Sequence, residues 1–122
     1  MIIKCLAVGA GGFIGSVFRY LIGLAPFLNK WDIPLHTLAV NVIGAVIIGM
    51  VVKSAESYEA VNETAVLLLK VGVCGGFTTF STFSLESLEL LQSGKWLLFG
   101  AYVAASLVLC IGGVFAGRCM IS

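Results

Sequence analysis

With 122 residues, 60% of them hydrophobic and only 11% charged, the chain is too poor in charge to cover a water-facing surface, for which about 25% is usual. The composition points to a membrane protein. The net charge of +1 gives no sign of a nucleic-acid or strongly anionic soluble partner.

Four apolar segments follow in chain order, at about 2–24, 35–52, 64–91 and 96–120, and a spanning helix needs ~20 such residues. The first begins just after Met1 and contains Lys4. It continues past Gly12 without a small-residue cleavage site, so it reads as a retained transmembrane helix rather than a signal peptide. Arg19 lies near its end, where it can snorkel to the interface or add positive potential at a pore mouth. The second segment carries Asn41 in "AVNVIG". A membrane-buried amide needs a hydrogen bond, so Asn41 reads either as interhelical glue or as a pore donor.

The third segment contains "CGGFTTFSTFS", Cys74 to Ser84, with two adjacent glycines, five hydroxyl residues and three phenylalanines. It divides the segment into 64–75 and 82–91, roughly 18 and 15 Å of helix. A break there falls near the midplane of a ~30 Å core, where irregular backbone survives only if buried in protein or lining a wet cavity. Gly75 and Gly76 can end the first half, and Thr78, Thr79 or Ser81 can cap the second. The bland alternative is a continuous helix whose Ser and Thr side chains bond back to their own turn. Phe80 and Phe83 share a face at i, i+3 and either pack or turn their positive ring edges toward an anion. Glu86 is an intramembrane acid, with Arg19 and Lys95 as candidate partners. In the fourth segment Tyr102, Ser106 and Cys110 form a weakly polar stripe at spacing four, for packing or as a hydroxyl-lined path.

The connections carry boundary chemistry. Pro26, Asn29 and Pro34 mark the first, Glu56, Glu59 and Glu63 the second, and "QSGK" the third. Trp31, Tyr58 and Trp96 lie in or beside them, as expected of rings at the headgroup level. The pairs Gly11/Gly15, Gly72/Gly76 and Gly113/Gly117 are G-x-x-x-G spacings that let helices approach closely. Cys5, Cys74, Cys110 and Cys119 form no C-x-x-C pair and read as packed or lipid-facing residues. The lone His36 has no metal-ligand neighbour in the sequence. Without a nucleophile–base pair, the chain does not read as an enzyme.

The chain ends and the second connection must share one membrane face. That face holds Lys4, Lys53 and Arg118, against Lys30 and Lys95 opposite: three against two, or four against three with Lys70 and Arg19 added. Lys/Arg bias sets orientation, and a bias of one is compatible with insertion both ways and an antiparallel pair.

"GGFIGSVFRY", "TLAVNVIG" and "GVCGGFTTFSTFSLE", in this order across a chain of this length, resemble the motifs of the Fluc/CrcB fluoride-channel family. The resemblance implies an all-α membrane protein: one four-helix transmembrane domain over residues 1–122, third helix broken near the midplane, in an antiparallel dual-topology homodimer with two pores. It implies a passive, fluoride-selective channel in the cell's inner (plasma) membrane, multi-pass, that exports cytoplasmic fluoride. By resemblance, Asn41, Phe80 and Phe83 face the pore, with Thr37, Tyr102 and Ser106 along a line of hydroxyls and Arg19 at the vestibule. Cys110 stands where a hydroxyl is expected, and a thiol is a weaker donor. A structural sodium ion at the dimer interface would be held by the Gly75 and Thr78 backbone carbonyls, with fluoride and the lipid bilayer as the other partners. The main alternative is a small dual-topology, proton-coupled multidrug antiporter, for which Glu86 is the one candidate carboxylate. A non-transporting helical assembly subunit is a second.

Overall fold

The computed structural model describes residues 1–122. Its long helices are α1 (Ile2–Gly23), α2 (Leu35–Ser57), a third span in two arms, and α5 (Trp96–Cys119). The third span covers Glu63–Gln92 and consists of α3 (63–77) and α4 (Phe80–Gln92), separated by two extended residues. Within α3, Leu68–Cys74 is wound as a π-helix. All four spans are long and apolar enough to cross a bilayer. Phe13, Phe18, Leu97, Val108 and Phe115 are exposed on their outer faces, where lipid replaces water as solvent.

Helix ends follow the local chemistry. Asn29 donates from Nδ2 to the Gly23 and Ala25 carbonyls at 2.8 and 3.0 Å, closing the end of α1. Asn62 caps α3 by accepting from the Thr64 and Ala65 amides. Between α4 and α5 the chain reverses on Gly94, at φ 75 the one residue with positive φ. Lys95 N–H donates to Leu90 O and Gly94 N–H to Leu91 O, a glycine-centred C-terminal closure.

The helices pack as two close pairs, α1 with α3 and α2 with α5. Glycines form both seams. A side chain at Gly11 or Gly15 would strike the α3 backbone at Leu68 and Val73, and one at Gly76 would meet Gly12 O at 2.6 Å. On the other pair, Gly49 lies on the Val114 carbonyl, and Gly117 on the Val46 carbonyl. The G-x-x-x-G spacings therefore serve contacts within one chain. Lys4–Glu63 and Arg118–Glu56 ion pairs, at 3.1 and 2.8 Å, tie the chain ends to the second connection on one face. Lys95–Asp32 at 3.7 Å lies on the other.

The break redirects the chain. While α3 lies along α1, α4 turns away and packs against α5 and α2. Phe83, Leu90 and Tyr102 make the buried cluster there, flanked by Ile33, Leu38 and Phe99. A Gly76→Ala substitution should lower stability by about 1–3 kcal/mol through overpacking, read as detergent-solubilised thermal unfolding. Gly112→Ala, where a Cβ meets nothing within 4 Å, should leave it unchanged or higher. Equal stability of the two variants would show that the α1–α3 seam is not close-packed.

Candidate functional site

The site is built around the break between α3 and α4. Gly75 is helical, at φ −62 and ψ −38, so the glycines do not end the first arm as the sequence suggested. Thr78 does, at φ −88 and ψ 159, followed by Thr79 at φ −151 and ψ 115. Gly76 is needed for the approach to α1 instead. Of the three candidate caps, Thr79 caps α4, its Oγ1 accepting from Thr82 N–H at 3.1 Å. The back-bonding alternative also operates, one turn on: Ser84 and Ser87 donate to the Phe80 and Phe83 carbonyls.

Asn41 of α2 holds the break open. Its Oδ1 accepts from Thr79 N–H at 2.7 Å, and its Nδ2 donates to Thr79 O at 3.2 Å. The amide thus pairs with an extended residue as a neighbouring strand would, satisfying both backbone groups. A carboxamide carries two N–H donors, so one remains free. Asn41 is therefore glue with a donor to spare. The Thr79 N–H given to Asn41 is the one that would otherwise close a helical turn on Gly75 O. Thr78 N–H and Oγ1 both donate to Cys74 O. Neither the Gly75 nor the Thr78 carbonyl accepts a hydrogen bond across the break.

Beside the break lies an open groove of about 400 Å³. Asn41, Thr78, Thr79, Phe80, Phe83, Ser106 and Cys110 line it, with Lys70 among otherwise apolar or small residues. Ser106 Oγ is buried there without a hydrogen-bond partner. The two phenylalanines differ: Phe83 is buried, whereas Phe80 is 76% exposed. Their centroids are 5.5 Å apart at a tilt of 42°, and Phe83 packs on Tyr102 at 5.2 Å with a tilt of 47°.

A second, more polar cavity of about 310 Å³ opens toward the Asp32–Lys95 face, lined by His36, Glu86 and Glu89 among others. Glu86 is its centre. Oε2 accepts from Thr37 Oγ1 and Oε1 from Tyr102 OH, both at 3.0 Å, and His36 Nε2 is 3.5 Å from Oε2. Neither Arg19 nor Lys95 pairs with it. Lys95 pairs with Asp32, and half-buried Arg19 makes no ion pair or side-chain hydrogen bond. The hydroxyls of Thr37 and Tyr102 thus point at a carboxylate, while Ser106, one turn along α5, keeps its proton free. Convergence on Glu86 had no signal in local sequence, because its partners lie 49 and 16 residues away. Cys110 reaches the groove, Cys74 is buried within its wall, and Cys5 and Cys119 are exposed.

Replacing Asn41 by Ala should cost about 1–3 kcal/mol, the price of orphaning buried backbone groups, and should speed hydrogen exchange at the Thr79 amide. Asn41→Asp, which keeps the acceptor, should retain that protection. Unchanged Thr79 exchange in the Ala variant would contradict the pairing.

Residues 6–118 match the family model described as "CrcB-like protein, Camphor Resistance (CrcB)". Among curated relatives, the "Fluoride-specific ion channel FluC" of Nitrobacter winogradskyi is 42% identical over 92% of this chain and 90% of its own length. Proteins of the same description from Chlorobaculum tepidum and Elusimicrobium minutum are 45% and 46% identical, over 92% and 90% of this chain and 89% and 86% of theirs.

Proposed function

The chain belongs to the CrcB-like family, and we propose that it is a passive fluoride-specific membrane channel whose two pores form between two inverted copies. Family membership, across nearly the whole chain, replaces the multidrug-antiporter alternative. The observation that carries the reading is the chemistry around the groove. Asn41 has a spare N–H, Ser106 a buried hydroxyl without a partner, and the Phe80 and Phe83 rings line the groove, with no carboxylate in the lining.

Fluoride is small and strongly hydrated, so its water must be replaced by close donors. Neutral N–H, O–H and ring-edge groups supply these without a fixed charge that would hold the ion, and conduction needs binding weak enough to leave. A narrow path would reject chloride by size and by poor coordination. Thr37 and Tyr102 fit the same line, but each must turn its proton from Glu86 to serve an anion. Arg19, free of partners, would add positive potential at the vestibule. Fluoride that enters as the neutral acid and ionises inside would then leave down the inward-negative potential.

A second copy suits the open groove, which one chain only partly encloses, and the near balance of basic residues between the faces suits inverted insertion. The family's structural sodium ion fits the unpaired Gly75 and Thr78 carbonyls: both are oxygen donors, both lack hydrogen bonds across the break, and a half-helix C-terminal end favours cations. A bound sodium ion there would supply charge compensation for the ended arm and join two copies.

In liposomes loaded with fluoride or chloride, the purified protein should release fluoride and retain chloride once an ionophore dissipates the potential. Phe80→Ile or Phe83→Ile should slow fluoride release at least tenfold, on the order of one lost 1.4 kcal/mol contact, with the dimer intact. Equal release of both anions, or full rates in both variants, would count against the reading. Replacing sodium by a larger monovalent cation during purification should weaken the dimer on size-exclusion chromatography. An unaltered profile would remove the carbonyl site.

A further inference from the structure

The groove has a single charged side chain in its lining, Lys70. It is exposed, joins none of the ion pairs, and donates no side-chain hydrogen bond. A lone ammonium beside lipid is costly unless it reaches water or serves a function. Its depth is informative. Lys70 lies eight residues before Thr78, hence at most about 12 Å from the break along α3. Half of the hydrocarbon core is ~15 Å, so the side chain ends at the groove mouth on the face of Lys4 and Glu63. The π-wound segment keeps Lys70, Cys74 and Gly75 on the groove wall while Gly72 is pressed against Val8 and Gly11 of α1.

We propose that Lys70 is the anion-collecting residue at one mouth of the fluoride path, raising local fluoride concentration ahead of the uncharged donors Asn41 and Ser106. The assignment rests on the fluoride-channel reading. Lysine suits the task because its ammonium is a strongly hydrated point charge on a flexible stem: it attracts a hydrated anion over distance without stripping its water or fixing it. No carboxylate in the groove lining opposes that field. Two inverted copies place one Lys70 at each membrane face.

The test is unit fluoride current in planar bilayers, measured against fluoride concentration and against ionic strength set by an impermeant salt. At low fluoride and low salt, Lys70→Gln should carry about tenfold less current than the unaltered chain, the low end of electrostatic focusing by a charged cleft. The two should converge at saturating fluoride. They should also converge as screening shortens the Debye length from about 10 Å at 0.1 M to about 3 Å at 1 M. Lys70→Arg should keep the current. Equal currents at low salt overturn the assignment. So does a uniform loss at every fluoride and salt concentration, which marks structural damage. Loss of the dimer with normal unit current would make Lys70 an interface ion-pair residue and also overturns it. No fluoride current from the unaltered chain would overturn the channel reading and this assignment together.

Discussion

A broken helix inside a bilayer must find partners for its freed backbone groups, each costing several kcal/mol if left in hydrocarbon. Here one side chain satisfies both backbone groups of the residue at the centre of the break. The Asn41 carboxamide receives the Thr79 N–H and returns an N–H to the Thr79 carbonyl. The rest of the site depends on this pairing. It lets Thr79 stay extended, so that α4 leaves α1 and carries Phe80 and Phe83 to the α2–α5 side. It leaves the Gly75 and Thr78 carbonyls open. It also leaves one N–H of Asn41, a groove-lining residue, without a partner.

The distribution of charge follows the same logic. Around the break the groove offers donors without formal charge, whereas Lys70 stands toward one mouth. Carboxylates are kept to the other cavity, where Glu86 is held by Thr37, Tyr102 and His36. In the proposed channel this arrangement would attract an anion at the mouth and bind it weakly within, the balance that conduction requires.

Much of this was legible in sequence. The four spans, the interruption in the third and the glycine seams follow from hydropathy, helix rise and small-residue spacing. The break was drawn too wide, at 76–81 rather than Thr78–Thr79, because Gly75–Gly76 is the stronger local stop signal. Tertiary packing overrode it: Gly76 has to lie against Gly12, and the extended conformation moved to Thr78–Thr79, where Asn41 could pair with it. Asn41 was recognisable as a buried amide needing a partner, but not which partner, since Thr79 is 38 residues away. Glu86 had the same difficulty, with its hydroxyl partners on two other helices. The π-winding of Leu68–Cys74 has no periodic signature in an apolar run.

In the proposed channel, the amide that clasps the broken helix also meets the permeating ion. Fluorine–nitrogen dipolar dephasing in solid-state magnetic resonance tests it, on protein labelled with ¹⁵N in its asparagine side chains and frozen in lipid with fluoride. The chain has three asparagines, Asn29, Asn41 and Asn62. Fluoride should dephase the Asn41 Nδ2 signal and leave Asn29 and Asn62 unaffected. An Asn41 signal that fluoride leaves untouched, in protein that conducts, would contradict it.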